Sequence, residues 1–377
     1  MSAVKRERIA VAMSGGVDSS VAAALLVEAG HDVFGLTMQL YDRKDTATPV
    51  EGSCCSIDDV SDARRVAEQM GIPFFVVNYE REFKALVVDN LVDEYLAGRT
   101  PNPCARCNEF LKFRLLLKRA VALGATALAT GHYARIERPE GAPARLFRGN
   151  DPSKDQSYFL HAIDQRALER LRFPLGGMTK PVVRAHAVRL GLATSQKPES
   201  QDVCFVTGEH YADFIERNAE SERMPGKGEV VDRDGVVLGT HQGHHRYTVG
   251  QRKGLGIASS QPLHVLKTVS SSNQVVVGRK QELMSSGLEA ERVHWIRGEA
   301  PPEDQLLDVC IRYHSGYREA RVMSLGDRRV QVSFLDPVEA ITPGQVVVFY
   351  QGDEVLGGGT ITGGIGAENL PLLEEVG

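Results

Sequence analysis

Short apolar stretches alternate with longer helix-like segments over residues 8–200, and this alternation is the strongest constraint on the fold. The strand candidates occupy residues 8–13, 32–38, 73–77 and 126–130. The helix candidates occupy residues 19–29, 58–70, 82–97, 109–123 and 181–190. Alternation of this kind is typical of βαβ units. It predicts an α/β domain with a mostly parallel sheet covered by helices.

The pattern changes near residues 205–225, where a Glu- and Arg-rich stretch precedes a region of short β segments. "GEVVDRDGVVLG" predicts a hairpin turning at Asp234 and Gly235, and "LHVLKTVSSSNQVVVG" predicts a second one. Closely spaced strands near the end of the chain favour a small barrel. We therefore expect three domains, with an α/β domain over 1–208, a β-rich central domain over 209–285 and a β-barrel over 286–377.

The bulk composition excludes several classes of protein. The 377 residues are 42% hydrophobic and 25% charged, and no apolar run reaches the roughly 18 residues of a membrane helix. Because no secretory signal is recognisable at the start, we expect a cytoplasmic protein without membrane contact, for which a monomer is adequate. Six cysteines are too few for a disulfide framework. The net charge of −5 argues against a generally basic surface but leaves room for local basic patches that bind nucleic acid.

The segment "AMSGGVDSS" joins the first predicted strand to the first predicted helix. Backbone N–H groups at a helix N-terminus have no partners within the helix and, with the helix dipole, favour a bound anion. Gly15 and Gly16 permit a sharp bend close to a ligand, and Ser14 and Ser19 add hydroxyl donors. Asp18 could orient a metal ion or cap the helix. Neither the Gly-Lys-Ser/Thr ending of a P-loop nor the dinucleotide pattern GxGxxG is present.

Two cysteine-bearing segments are the next informative feature. In "RTPNPCARCNEFLKF", two prolines keep the chain extended before Cys104 and Cys107. Asn108 is typical of an N-cap, which predicts that Cys107 lies at a helix N-terminus, where a thiolate is stabilised. Cys204 lies in the polar stretch "SQKPESQDVCFV", which argues against a merely buried thiol. Its neighbour Asp202 is given no role.

The other cysteines are interpreted as structural. Cys54 and Cys55 follow loop-forming residues, their adjacency is poor for chelating one metal ion, and a structural or incidental role is favoured. Cys310 alternates with polar neighbours in "DVCIRY", which predicts a core position.

"SGGVDSS" resembles the pyrophosphate-binding loop of the PP-loop ATP pyrophosphatases. That resemblance implies that Mg-ATP is cleaved between its α and β phosphates and that a carbonyl oxygen is adenylated. An adenylated oxygen is a good leaving group, which a persulfide sulfur can displace while a second cysteine resolves the remaining disulfide. The loop and the two separated cysteines together indicate sulfur insertion.

Over nearly its whole length the chain resembles the bacterial tRNA-specific 2-thiouridylases, the MnmA family. Further motifs that carry the resemblance are "GLTMQLYD", "GRTPNPCARCN", "ATGHYARI", "KDQSYFL", "SQDVCFV", "YTVGQRKGLG" and "ITPGQVVVFY". The resemblance implies ATP-dependent 2-thiolation of the wobble uridine in tRNAs for Lys, Glu and Gln. The C2 oxygen would be adenylated, a cysteine persulfide would supply sulfur, and AMP and pyrophosphate would leave. An upstream cysteine desulfurase or persulfide relay protein would load the sulfur.

The resemblance also assigns roles by position. Cys107 would be the resolving nucleophile, and Cys204 would carry the persulfide. The ATP-binding residues would be Ala12, Met13, Ser14, Gly15, Gly16, Val17, Asp18, Ser19, Met38 and Gly131. The residues approaching the target base would be Asn102, Pro103 and Cys104. The remaining tRNA contacts would be His132, Lys154, Asp155, Gln156, Arg312, Tyr313 and Gln345.

One position departs from the family pattern. Many relatives have "PNPD" where this chain has "PNPC", so Cys104 stands in place of an aspartate. That aspartate is a candidate acid/base or orienting group near the uridine. Either the carboxylate is dispensable here or Cys104 acts differently, and the general base therefore stays open.

Other interpretations of the same residues are open. Cys104 and Cys107 form a CxxC pair, but structural zinc needs four ligands, whereas an iron–sulfur cluster on Cys104, Cys107 and Cys204 could hold the transferred sulfur. The glycine loop would also suit an amide-forming ligase or a non-catalytic tRNA-binding protein. His132 could be an ordinary loop histidine.

Two basic segments are candidates for RNA contact. The first, "GHHRYTVGQRKGLG" over 243–256, could bind phosphates or form a solvated loop. The second places arginines near Tyr313 and Tyr317, where a splayed base could stack, although ordinary strand-surface charge explains each arginine equally well.

Overall fold

The computed structural model describes residues 6–41, 57–198, 203–206 and 209–366. Cys54, Cys55 and Asp202 lie outside these residues, so their interpretations stay predictions. The described chain forms two compact units. The first takes residues from 1–88, 103–209 and 353–355, and the second takes residues from 89–102, 210–352 and 356–377. The predicted domain boundaries at 208 and 285 stay predictions.

The first unit is built on a five-stranded parallel sheet with the strand order β3-β2-β1-β4-β7. The strands of this unit are β1 (Arg8–Ala12), β2 (Asp32–Gln39), β3 (Phe74–Asn78), β4 (Ala127–Ala129), β5 (Ala134–Glu137), β6 (Arg145–Arg148) and β7 (Leu171–Arg172). In register, Arg8 pairs with Asp32 and Ile9 with Ala127. Ile9 and Val11 are fully buried, as expected for a central strand covered on both faces. The predicted parallel sheet is therefore confirmed.

The predicted helices over 19–29, 58–70, 82–97 and 181–190 agree with the structure within two residues, whereas the helices over 165–170 and 211–218 were not predicted. The helices are α1 (Val17–Glu28), α2 (Ile57–Gln69), α3 (Glu80–Phe83), α4 (Asp89–Leu96), α5 (Pro103–Arg106), α6 (Leu117–Ala122), α7 (Gln165–Arg170), α8 (Lys180–Arg189) and α9 (Tyr211–Asn218). Two π-helical segments, Lys84–Val88 and Cys107–Leu116, continue α3 and α5 without interruption. The short 3₁₀ turns are Ser157–Leu160, Ser221–Arg223, His244–Arg246 and Lys280–Leu283.

The start of the cysteine-bearing helix was wrongly predicted. Helical structure begins at Pro103 and not at Asn108, because proline has a helical φ and needs no donor partner in the first turn. Cys104 therefore occupies the first turn, and Cys107 begins the π-helical segment at the next turn. The helix-terminus argument for a stabilised thiolate consequently applies to Cys104 more directly than to Cys107.

The second unit is dominated by antiparallel strands. A four-stranded sheet has the order β10-β11-β8-β9. Its strands are β8 (Gly228–Val231), β9 (Val237–His241), β10 (His264–Val269) and β11 (Gln274–Gly278). Both predicted hairpins are confirmed, and Gly235 takes the left-handed conformation, φ +84°, that the first turn requires.

Six further strands close into a barrel in the same unit. They are β12 (Met284–Trp295), β13 (Leu306–Cys310), β14 (Arg318–Gly326), β15 (Arg329–Glu339), β16 (Val346–Gln351) and β17 (Glu354–Ile365). The order is β12-β15-β14-β13-β16-β17, and β12 pairs with β17 to complete the circle. Val309, Val347 and Phe349 fill the interior, and Cys310 is buried as predicted. The barrel prediction is therefore confirmed.

None of the helices among the described residues combines the length and the apolar character needed to cross a membrane.

Candidate functional site

The glycine loop between β1 and α1 is braced by its own serines. The backbone N–H of Ser14 donates to Ser19 Oγ at 3.1 Å, and the Ser19 and Ser20 hydroxyls donate to Gly16 O at 3.2 and 2.8 Å. Gly15 has φ +72°, and a Cβ there would overlap the backbone carbonyl of Asp59. The turn therefore requires glycine for two independent reasons, its backbone conformation and its close contact with α2.

All ten predicted ATP-binding residues lie at the carboxyl ends of adjacent parallel strands. The run Ala12–Ser19 follows β1, Met38 lies near the end of β2, and Gly131 follows β4. A Cβ on Gly131 would come within 2.8 Å of Ser19 N, so the β4 loop packs directly on the glycine loop. Open α/β sheets bind ligands between two neighbouring strands whose connections run in opposite directions along the sheet. Strands β1 and β4 flank such a point here.

Charged groups that the motif analysis missed surround this loop. Lys180 Nζ lies 2.8 and 2.9 Å from the two carboxylate oxygens of Asp18, and Tyr133 OH donates to Asp18 at 2.8 Å. Lys180 is buried although it is a lysine, which is uncommon outside a paired or functional setting. Its place at the start of α8 was predictable from the sequence, but its approach to Asp18, 162 positions away, was not.

A second lysine lies beside the same loop. Lys197 Nζ contacts Asp59 at 2.7 Å and Asp62 at 2.6 Å, both on α2. Burial alone would lower the pKa of Lys197, but its hydrogen bonds to the two carboxylates raise it overall. Because Asp59 also packs under Gly15, this ion pair ties the chain before Cys204 to the flank of the glycine loop.

The segment that carries Cys204 packs on the helix formed by α3 and its π-helical continuation. The Phe205 and Phe83 rings meet edge to face with centroids 5.1 Å apart, and Tyr41 OH donates to the Cys204 carbonyl at 3.5 Å. The same helix also holds the Cys107 helix, because Arg106 Nε donates to the backbone carbonyl of Leu86. Both cysteine segments thus share one supporting helix.

Cys104, Cys107 and Cys204 are all partly exposed. Within the described part of the chain, no group of three or more His, Cys, Asp or Glu side chains is arranged to hold a metal ion.

His132 lies one residue beyond Gly131 and is buried between Phe113 and Phe173. Its Nδ1 lies 2.7 Å from Thr130 Oγ1, and its Nε2 lies 3.5 Å from Lys112 Nζ. Burial, and then the charge of Lys112, hold the pKa of His132 well below its usual value, so the ring is neutral. Its predicted tRNA contact stays a prediction.

The predicted tRNA residues Lys154, Asp155 and Gln156 lie next to this histidine. Asp155 accepts hydrogen bonds from Gly149 N and Ser157 N at 3.0 and 3.1 Å, and Gln156 Oε1 accepts from Tyr133 N at 3.1 Å. The Asp155 and Gln156 side chains therefore shape the chain beside His132, while Lys154 is partly exposed.

Arg312, Tyr313 and Gln345 all lie in the second unit. Arg312 is exposed, and its guanidinium donates to Ala340 O at 3.3 Å. The Tyr313 ring packs on His314 with centroids 3.9 Å apart. Gln345 belongs to the same 340–345 loop, where Pro343 O accepts from Thr100 N at 2.8 Å. The barrel loop with Arg312 and Gln345 thus lies beside the residues that immediately precede Asn102.

In the basic segment 243–256, two histidines prove to be structural. His245 is buried and its Nε2 lies 3.0 Å from Glu216, while His244 Nε2 lies 2.9 Å from Leu96 O. Arg252 and Lys253 are exposed, so phosphate contacts from this segment would come from them.

Three family models cover most of the chain. The tRNA methyl transferase HUP domain matches residues 7–208, the tRNA methyl transferase PRC-barrel domain matches 212–279, and the aminomethyltransferase beta-barrel domain matches 285–361. The tRNA-specific 2-thiouridylase MnmA of Geobacter metallireducens is 55% identical over 363 residues, which cover 94% of this chain and 97% of that protein. The chain belongs to the MnmA family.

Two further MnmA proteins support this assignment. The tRNA-specific 2-thiouridylase of Geotalea uraniireducens is 53% identical over 95% of both chains. That of Magnetococcus marinus is 51% identical, over 94% of this chain and 99% of its own length. MnmA membership places the glycine loop within an ATP-using PP-loop family, in agreement with the strand, turn and helix around it.

Proposed function

We propose that the protein is an ATP-dependent tRNA-uridine 2-sulfurtransferase that thiolates the wobble uridine of tRNAs for Lys, Glu and Gln. The observation that carries the proposal is the arrangement in the first unit. The glycine loop lies where the strand order reverses, between β1 and β4. Both cysteine segments pack on the helix over 80–88. Family membership supports the same activity, since the relatives are named tRNA-specific 2-thiouridylases.

The first chemical step uses the glycine loop. Mg-ATP would bind with its phosphates on the N-terminus of α1, where the braced backbone N–H groups and the Lys180 ammonium favour anions. The extruded uridine attacks the α-phosphorus with its C2 oxygen, and the bond to the β-phosphate breaks. Pyrophosphate leaves, the N3 proton passes to solvent water, and the C2 oxygen carries AMP.

The second step transfers sulfur. A persulfide on Cys204, loaded by an upstream donor protein, attacks C2 with its outer sulfur, and the C2–oxygen bond breaks to release AMP. Cys107 then attacks the inner sulfur of Cys204, so that the bond between the two sulfurs breaks and 2-thiouridine leaves. A Cys107–Cys204 disulfide remains for reduction. The contacts that both cysteine segments make with the helix over 80–88 support this sequence of steps.

The tRNA would dock on the barrel loop that holds Arg312, Tyr313 and Gln345, as a monomeric complex. Contacts to phosphates position an RNA, whereas an aromatic ring can stack on a splayed base. The exposure of Arg312 and the partial exposure of Tyr313 suit these two roles.

The test is mass analysis of nucleosides after incubation with ATP, a persulfide donor and unmodified tRNA. We expect 2-thiouridine with the unaltered protein, and loss of at least ~10³-fold in Cys107→Ser and Cys204→Ser. Both variants should still release pyrophosphate in the presence of tRNA, because adenylation precedes sulfur transfer. Cys310→Ala is the matched control, since that cysteine is buried in the barrel. A thiouridine peak that persists in both serine variants would refute the sulfur-transfer scheme.

A further inference from the structure

The chain that leads to Cys204 is fixed at Lys197 through both its backbone and its side chain. The backbone continues the turns that follow α8, since Lys197 N donates to Thr194 O at 3.0 Å. The side chain reaches α2, where Nζ lies 2.7 Å from Asp59 Oδ1 and 2.6 Å from Asp62 Oδ2. Lys197 therefore joins the turns after α8 to the first half of α2.

The ion pair between Lys197 and Asp59 is largely withdrawn from solvent. The Asp59 side chain is 8% exposed and that of Lys197 is 24% exposed. Removing one partner of a buried ion pair leaves an uncompensated charge, whereas an exposed ion pair contributes little. Arg65 on α2 is of the second kind, because it is 66% exposed and lies 3.4 Å from Asp62. The Lys197 contact is therefore the one that fixes the chain.

Asp59 links this contact to the glycine loop. A Cβ on Gly15 would overlap the backbone carbonyl of Asp59, so the first turns of α2 pack directly against the loop. The backbone of Asp59 thus contacts the loop while its carboxylate binds Lys197. The position of Lys197 is thereby set relative to the loop on which ATP would bind.

The Cys204 end of the segment has weaker contacts. Cys204 lies seven residues beyond Lys197, which an extended chain spans over at most about 25 Å. Tyr41 OH donates to the Cys204 carbonyl at 3.5 Å, and Phe205 meets the Phe83 ring edge to face. Both contacts are uncharged and the hydrogen bond is long, so they fix the segment less firmly than the short ion pair does. The anchor at Lys197 therefore limits the volume that Cys204 can occupy.

We propose that Lys197 is a positioning residue that holds the Cys204 segment beside the glycine loop, a role that rests on the proposed thiolation. If the persulfide is misplaced, water attacks C2 of the adenylated uridine instead. The C2–oxygen bond then breaks, one proton of the water returns to N3, and the other leaves with AMP. A misplacement of about 1 Å is enough to slow a transfer by about 10²-fold. Adenylation does not use Cys204, so loss of Lys197 uncouples the two steps.

The experiment measures 2-thiouridine and released pyrophosphate in the same reactions, with ATP, a persulfide donor and unmodified tRNA. In Lys197→Met, thiouridine formation should fall by about 30- to 100-fold while tRNA-dependent pyrophosphate release changes by less than about threefold. The pyrophosphate released per thiouridine should therefore rise by at least about tenfold. Lys197→Arg keeps a cation on the two carboxylates and should restore most of the thiolation. Arg65→Met is the matched control, since it removes a cation from Asp62 without touching the Cys204 segment.

Alkylation by iodoacetamide, followed by peptide mass analysis, gives a readout that does not depend on turnover. Cys204 should react at least about threefold faster in Lys197→Met, because its segment opens more often. The rate at Cys107 should stay the same. A general loss of structure would instead accelerate both cysteines and expose Cys310, which is buried in the barrel.

Asp62→Asn is the second variant if Lys197→Met fails to fold, because Asp62 is 25% exposed and its loss leaves the Asp59 contact in place. It should raise the pyrophosphate released per thiouridine by about threefold. An unchanged ratio in Lys197→Met would overturn the inference while leaving the thiolation intact. Equal losses of both products would also overturn it, since Lys197 would then serve the fold or the glycine loop alone. Absence of 2-thiouridine from reactions of the unaltered protein would instead overturn the proposed function.

Discussion

The two units organise their candidate functional residues in different ways. In the first unit, parallel strands all end at one edge of the sheet, so residues from β1, β2 and β4 converge although up to 119 positions separate them (Ala12 and Gly131). In the second unit, a closed barrel has no such edge, and Arg312 reaches the 340–345 loop of Gln345 through a hydrogen bond to the carbonyl of Ala340. A parallel sheet brings functional side chains from several strands together at one edge. A closed barrel has no such edge and presents functional side chains on its surface loops.

The largest expected effect comes from a substitution that displaces the glycine loop of the first unit. Gly15→Ala forces a Cβ into the Asp59 carbonyl and strains a backbone at φ +72°, so the glycine loop must shift. We expect tRNA-dependent pyrophosphate release to fall by about 10³-fold, because several aligned N–H donors are lost together.

Gly30→Ala is the matched control for this change. Gly30 has φ +83° at the end of α1, but a Cβ there would meet nothing within 4 Å. It should lower the free energy of unfolding by about 1–2 kcal/mol and leave the rate unchanged. Comparable rate losses in both variants would show that backbone strain, and not loop position, decides activity.

The next effect tests whether the units are separable. Phe349 is fully buried in the barrel and packs on Trp295 with ring centroids 5.1 Å apart. Phe349→Ala should lower the free energy of unfolding of the second unit by about 3–5 kcal/mol, measured by urea unfolding with tryptophan fluorescence. Trp295 is the sole tryptophan, so the signal reports on the barrel. ATP binding by the first unit should persist. Loss of ATP binding together with unfolding of the barrel would contradict the division into two units.

The sequence predicts local elements better than long-range contacts, for a physical reason. In the first unit, β1 to β4 and the helices α1, α2 and α8 were placed within two residues, because buried strands and longer helices have strong local signals. The contacts of Lys180 with Asp18 and of Lys197 with Asp59 were missed, since pairing across more than 130 positions depends on tertiary packing alone. The β5–β6 hairpin, β7, α7 and α9 were missed too, because elements of two to eight residues span too few repeats of a periodic pattern to be recognised.

The cysteine helix shows how one local signal can mislead. Asn108 has the side chain of a good N-cap, but Pro103 already supplies a favourable first helical position five residues earlier. Tertiary packing then buries Asn108 and winds the following residues as a π-helix, a rare conformation frequent at functional sites. The sequence shows each possible capping residue but not the tertiary packing that decides between them, so this outcome could not be predicted from it.

A smaller effect sharpens the role of the barrel loop. Arg312→Ala should raise the Kd for tRNA by about 3- to 10-fold and reduce the salt dependence of log Kd by about one, as expected for a lost phosphate contact. Arg329→Ala removes an exposed arginine from β15 and should have no such effect. If the salt dependence of log Kd for tRNA is unchanged in Arg312→Ala, Arg312 makes no phosphate contact.

The smallest effect concerns buried histidines. Burial lowers the pKa of His245 despite its hydrogen bond to Glu216, and burial likewise lowers the pKa of His241. Because the unfolded chain takes up protons near pH 6.5 while these folded rings stay neutral, their contribution to stability is present above that pH and is lost as the pH falls. Each histidine should cost up to about 1.4 kcal/mol per pH unit between pH 6.5 and its folded pKa. His245→Gln should flatten this acid slope in urea unfolding followed at Trp295, and an unchanged slope would mean that His245 does not titrate on unfolding in this range.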